Sequence, residues 1–313
     1  MKRKVAFITG ASRGIGKSCA VYLAKAGYDI TITARTLHEG EAREHSPTVK
    51  RSDMSPLPGS LDATAALCRA EGREVMVLQA DITDPASLGA AAATVNAKWG
   101  GVDVLVHVAR YIGAGHMDKL MDTPIEQVEK HLAGNLIATL ILDKAFIPGM
   151  VERKSGVIIN FTSGSAYSDP KKAAGEGGWG ICYAVSKGAI HRVAGVLAVE
   201  LEGTGVQVYN VDPGFTMTER IKQDMAKFGF DLEGAPVDVS GAVVKWLATN
   251  PEATQFNGKT MYAQNFCHEN NLLPGWTGPK HLGRMSTYDY SGAIVDGYDI
   301  ELEKKFLAAT AKK

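Results

Sequence analysis

The chain is poor in cysteine, has no excess of either charge and contains no long apolar run. Its four cysteines, Cys19, Cys68, Cys182 and Cys267, are scattered. None falls in a C-x-x-C pair, which argues against a disulfide framework or a zinc site. Reduced thiols in a reducing compartment are the expectation. Lys and Arg total 34, Asp and Glu total 34, and the formal net charge is +0. A polyanion binder would carry a basic excess, so no nucleic-acid partner is expected. No segment approaches the ~18–20 consecutive apolar residues of a bilayer span, so no membrane partner is expected. The basic start Met1-Lys2-Arg3-Lys4 is followed by an apolar run only from Val5 to Ile8, too short for the core of a secretory leader. The last residues carry no recognised targeting tripeptide, and the cytoplasm is the expected location.

What is present is alternation. Hydrophobic residues make up 45% and charged residues 22% of the 313. These are ordinary proportions for a globular protein, in a chain long enough to bury a large core. Short apolar runs predict strands at 4–8, 29–34, 74–79, 102–108, 156–161, 206–211 and 259–263, with helical patterns at 16–26, 125–150 and 183–202. This alternation predicts an α/β, doubly wound parallel sheet covered on both faces. Three segments break the rhythm. Residues 36–60 are polar and contain Pro47, Pro56 and Pro58, which reads as a long loop. Residues 168–180 are rich in Lys, Gly and Ala, and from 268 onward the chain has Gly and Pro turns and a short helix near 299–311. The expected division is one domain over 1–265 with an irregular extension over 266–313.

Two motifs carry chemistry. Tyr183 and Lys187 are four apart in a helical stretch, so their side chains share a helix face. A free phenol, with a pKa near ~10, is a poor base at neutral pH. An adjacent ammonium stabilises the phenolate and lets it exchange a proton with an alcohol or carbonyl. Alone, Tyr-x-x-x-Lys arises by chance in many helices. The second motif is Thr9-Gly10-Ala11-Ser12-Arg13-Gly14-Ile15-Gly16, between the first strand and the first helix. Glycines let the backbone turn tightly and approach a ligand, and the helix N-terminus offers N–H groups to a pyrophosphate. In this context the turn reads as a dinucleotide site.

With Tyr-x-x-x-Lys downstream, the G-x-x-x-G-x-G turn resembles the short-chain dehydrogenase/reductase family. The resemblance runs from Lys4 to about Ala263 and implies a Rossmann fold. It implies that Asp81-Ile82 holds the adenine and that Asn135 kinks its helix and keeps a water in a proton relay. Asn160-Phe161-Thr162-Ser163 is similar to the family's strand ending in a catalytic serine. Asp212-Pro213-Gly214-Phe215-Thr216-Met217-Thr218 is similar to the segment that packs on the nicotinamide. The implied roles are Tyr183 as general acid/base, Lys187 as its support and a contact to the nicotinamide ribose, and Ser163 as donor to the substrate oxygen. The second strand ends Thr33-Ala34-Arg35-Thr36 without the carboxylate that NAD-binding members use on the ribose 2′-OH. Arg35 and Arg13 suit a 2′-phosphate instead, so NADP(H) is the expected cofactor. No metal is required.

The chain also departs from the family. His107-Val108-Ala109-Arg110 stands where Asn-Asn-Ala-Gly is usual. Ala109 keeps a small residue by the adenosine ribose, and His107 takes a packing or ribose-contact role. Arg110 either meets an acidic substrate or the cofactor, or points to solvent, and a solvent-facing or structural role is the favoured reading. The spacing from Ser163 to Tyr183 is wider than in typical members, which places residues 168–180 beside the substrate pocket, with Trp179 either walling that pocket or anchoring the loop onto the core. The long 36–60 loop hints at the hydroxysteroid-dehydrogenase-like branch. The expected function is NADP(H)-dependent interconversion of a secondary alcohol and a ketone, or an aldehyde, by a homodimer or homotetramer. Enoyl reduction or coupled dehydration on the same scaffold, and a non-catalytic NADP(H)-binding sensor or assembly module, are the alternatives.

Overall fold

The computed structural model describes residues 3–228 and 233–279. The expected helix near 299–311 lies outside them. Seven parallel strands form one sheet in the order β3-β2-β1-β4-β5-β6-β7. They are β1 Val5–Thr9, β2 Asp29–Ala34, β3 Val75–Gln79, β4 Val104–His107, β5 Gly156–Phe161, β6 Val206–Asp212 and β7 Thr260–Tyr262. The helices that matter here are α1 Gly14–Lys25, α2 Leu61–Ala70, α3 Pro85–Trp99, α4 Ile125–Leu132, α5 Ala138–Glu152, α6 Ile181–Glu200, α7 Glu219–Phe228, α8 Asp238–Thr249 and α9 Ala263–Glu269.

The pleat explains why residues 5–8 of β1 are apolar throughout. Successive side chains point to opposite faces, and both faces are covered. Ala6 and Ile8 of β1 join the core beneath α1, α2 and α8, with Leu23, Leu61 and Val243. Val5 and Phe7 join the other core, with Leu88 of α3 and Leu142, Phe146 and Met150 of α5. Local signals set the boundaries. Ser60 caps α2 by accepting from the Ala63 N–H at 3.1 Å. Asp84 caps α3 ahead of Pro85, and Gly100 ends it at φ 70°.

The single helix expected over 125–150 is two helices joined by a π turn at Ala133–Ile137, with Asn135 inside it. Such a turn adds a residue to the helical ladder and re-aims the side chains around it. The Asn135 amide is thereby buried, accepting from the Tyr111 N–H at 2.6 Å and donating to the Ser186 hydroxyl at 2.9 Å. Ile125–Glu152 is long and apolar enough to cross a bilayer by length and composition. Here one face of α5 lies in the core.

The 36–60 segment forms no strand or helix. It is tied down from several sides. Asp118 accepts from the Thr48 hydroxyl at 2.5 Å and from the Val49 N–H at 2.8 Å, and Arg220 donates to the His45 carbonyl at 2.8 Å. The 265/266 boundary falls inside α9, and Phe266, Leu272, Leu273 and Trp276 pack against the core.

Candidate active site

Strand order reverses direction between β1 and β4, and the crevice at their C-terminal ends is where open α/β sheets take ligands. Two close approaches build that crevice. Gly10 sits at φ 67°, where a Cβ would lie 2.7 Å from the Ala109 Cα. A Cβ on Gly16 would lie 2.3 Å from the Gly10 carbonyl oxygen. The Thr9 hydroxyl clamps the second wall, accepting from the Val108 and Ala109 N–H groups at 3.1 Å each.

The N-terminus of α1 carries no side-chain cap of its own. Its Gly14 N–H instead donates to the Glu219 carboxylate at 2.8 Å, and Lys17 pairs with the same carboxylate at 2.5 Å. Burial works against ionisation of Glu219, but Lys17 and the Gly14 N–H prevail and hold its carboxyl below the usual range. An anion from the chain itself therefore rests where a helix N-terminus receives phosphate. The glycine turn, with no room for side chains and an anion at its N–H, fits a dinucleotide.

The cleft has a volume of about 280 Å³. Of the residues singled out in the sequence, Gly10, Ser12, Arg13, Gly14, Ile15, Gly16, Arg35, Ile82, Ala109, Tyr183, Lys187, Pro213 and Thr218 line it. Others are close but differently engaged. Asp81 accepts from both the N–H and the hydroxyl of Thr83 at 2.8 Å, while its neighbours Ala80 and Ile82 face the cleft. Gly214 lines an adjacent cavity with Tyr262 and Gln264, and the Thr216 hydroxyl donates to the Pro213 carbonyl at 3.1 Å. The His107 side chain is not a wall of the cleft. It is buried and hydrogen-bonded to Asp143 of α5 at 2.9 Å, because its strand position points it into the α5 side of the sheet. Ser163 stands just after β5, its Oγ 3.2 Å from the Ser165 Oγ, and Thr162 lines the cleft beside it.

Tyr183 and Lys187 share the inward face of α6. Lys187 is buried and donates to the Phe161 carbonyl at 2.7 Å. Burial first, then the Arg110 charge, lowers its pKa to about 7, against the opposing pull of Asp212. The Tyr183 ring packs against His116, with ring centroids 4.3 Å apart, and the Arg110 guanidinium lies 5.5 Å from its centroid. Burial, then the charge of Arg110, holds the His116 imidazole well below its ordinary range. Arg110 lines the cleft rather than pointing to solvent. Trp179 is not among the cleft walls. The 168–180 insert rests instead on the loop before α4, with Gly180 donating to the His116 carbonyl at 2.8 Å.

Sequence reasoning missed Glu41, Arg43, His45 and Leu57 of the long loop, and Arg220 of α7, all of which line the cleft. The polar character of that loop was visible, but no periodicity fixed where it would fold.

A dinucleotide-binding oxidoreductase is the class that this fold and cleft define. The chain belongs to the short-chain dehydrogenase family, whose model matches residues 4–55 and 54–227. It is 31% identical over 223 residues to a short chain dehydrogenase of Pseudocercospora fijiensis, spanning 70% of this chain and 62% of that longer protein. It is 27% identical over 261 residues to cyclohexanol dehydrogenase of Rhodococcus sp., covering 80% of this chain and 91% of the relative. It is 32% identical over 229 residues to an uncharacterized NAD-dependent oxidoreductase of Mycobacterium tuberculosis, covering 72% and 77%. A metagenomic short-chain oxidoreductase in complex with NADP shares the fold at a TM-score of 0.62 and 27% identity, covering 83% of this chain and 96% of the other.

Proposed function

We propose that the protein is an NADP(H)-dependent oxidoreductase that interconverts an alcohol and a ketone or aldehyde. The observation that carries this reading is one cleft walled at once by the glycine turn of α1 and by Tyr183 and Lys187 of α6. The glycine turn, Arg35, Ile82, Ala109, Lys187, Pro213 and Thr218 would hold the nicotinamide cofactor, which supplies or accepts the hydride when bound. Tyr183 gives its phenolic proton to the carbonyl oxygen in reduction and removes the alcohol proton in oxidation. Lys187, with its pKa brought to about 7, stands behind Tyr183 as a group able to exchange protons near neutrality. Ser163 orients the substrate oxygen, and Asn135 fixes the Tyr111 backbone and the α6 hydroxyl of Ser186.

The preference for NADP(H) rests on residues. No carboxylate ends β2, and Arg35 faces the cleft there. The relatives' names point both ways, to NAD in the mycobacterial oxidoreductase and NADP in the metagenomic structure. A charged hydrogen bond to the 2′-phosphate is worth about 1.5–3 kcal/mol, so Arg35→Ala should cut the NADPH-over-NADH preference by roughly 10- to 100-fold. The test is kcat/KM with both cofactors over a panel of ketones, aldehydes and alcohols, followed by absorbance of the reduced nicotinamide. Equal use of the two cofactors by the wild type would refute the assignment.

Glu219 occupies the anion position of α1, so it competes with the pyrophosphate. Glu219→Gln should tighten NADPH binding by about two- to fivefold, the size of a helix-terminus charge effect. Fluorescence titration reads this directly, and weaker binding by the variant would show that Glu219 supports the site rather than guarding it.

A further inference from the structure

Arg110 makes no hydrogen bond and no ion pair with any described residue, and its Nη1 is buried without a partner. Yet it lines the cleft, 5.5 Å from the centroid of the Tyr183 ring. Three other arginines of the cleft are held by the chain. Arg13 donates to the Leu57, Pro58 and Gly59 carbonyls, Arg43 pairs with Glu41, and Arg220 donates to the His45 carbonyl. Glu41 is the one carboxylate among the described cleft walls, and the Leu37 and His38 N–H groups also hold it. Among the described residues no carboxylate therefore answers Arg110. A guanidinium withdrawn from water without a partner is costly, and its planar fork matches a carboxylate.

We propose that Arg110 binds a carboxylate of the substrate, so that the enzyme acts on oxo acids and the corresponding hydroxy acids. The carboxylate lies within a few bonds of the reacting carbon, since Arg110 packs on the proton donor itself. Burial holds the His116 imidazole beside Tyr183 well below its ordinary range, and Arg110 is the cation packed on the Tyr183 ring. In reduction the carbonyl carbon gains hydride from the reduced nicotinamide and the oxygen gains the Tyr183 proton. The carboxylate is unchanged and the product is a hydroxy acid with oxidised cofactor. This assignment rests on the reductase reading above.

The test compares each acid with its methyl ester: pyruvate, acetoacetate and 4-oxopentanoate, with wild type, Arg110→Gln and Arg110→Lys, and NADPH as reductant. At least one acid should be preferred over its ester by on the order of 10²-fold in kcat/KM, the scale set by truncating a desolvated charge pair. The ratio should collapse toward one in Arg110→Gln and fall partway in Arg110→Lys, which keeps the charge but loses the fork. No acid preference in the wild type overturns the proposal. So does equal loss on acid and ester in Arg110→Gln, which would make Arg110 a group acting on Tyr183, and so does a raised NADPH Kd with the ratio unmoved. A variant-free check covers misfolding: propanoate, and not propanamide, should inhibit wild-type turnover of a neutral ketone, and equal inhibition contradicts the assignment. Turnover without acid preference sinks only the role of Arg110, whereas no turnover of any carbonyl sinks the reductase reading.

Discussion

Tyr183→Phe lowers turnover by about 10³-fold, within the 10²–10⁴ range of general acid–base catalysis, while NADPH binding stays within a few-fold of wild type. The substitution removes one oxygen and keeps the ring. The ring is what packs against His116 and Arg110, so the wall of the cleft survives. What is lost is the only phenol that shares the cleft and a helix face with Lys187 among the described residues. Without it the alkoxide formed on reduction must draw a proton from water. Steady-state rates with a responsive carbonyl, set beside a fluorescence titration of NADPH, separate chemistry from binding. Turnover unchanged in the variant would remove Tyr183 from the mechanism, and loss of NADPH binding would show a folding defect instead.

Lys187→Met should also stop turnover, by about 10²-fold or more, and at the same time stabilise the cofactor-free protein near pH 6. Burial, followed by the Arg110 charge, lowers the Lys187 pKa from 10.5 to about 7 in the folded state. Between those two values the unfolded chain binds a proton that the folded chain does not. Stability therefore rises with pH across that window and sits on its low plateau below about pH 7. Methionine has no charge to desolvate, so its advantage is full at pH 6 and fades toward pH 10.5. At 1.36 kcal/mol per pKa unit the gain is on the order of a few kcal/mol, reduced by the lost bond to the Phe161 carbonyl. Urea denaturation at pH 6 and pH 10 reads the difference. A variant less stable at pH 6, or one whose gain does not change with pH, would contradict the buried-cation account. The buried lysine is thus a cost to the stability of the fold below about pH 10.

Much of the scaffold was legible because its signals are local. The apolar runs of β1, β2 and β5 reflect two covered faces. The glycines at 10 and 16 mark a turn that no side chain can enter. The spacing of Tyr183 and Lys187 is a helix period, readable without knowing what the helix packs on. By contrast, residues 36–60 carry no periodicity, and their place over the cleft depends on Asp118 and Arg220, distant in sequence. His107 has the same strand context as the asparagine it replaces, and only the nearness of Asp143 on α5 shows that its side chain serves packing.

The sequence by itself determined the doubly wound sheet, the glycine turn after β1 and the Tyr183–Lys187 spacing on α6, since each follows from residue type at short spacing. Tertiary structure alone decided which charges meet. It placed Glu219 on the N-terminus of α1, removed water from Lys187, and set Arg110 beside Tyr183 with no counter-ion among the described residues. Charge pairing and desolvation depend on distances across the fold rather than along the chain.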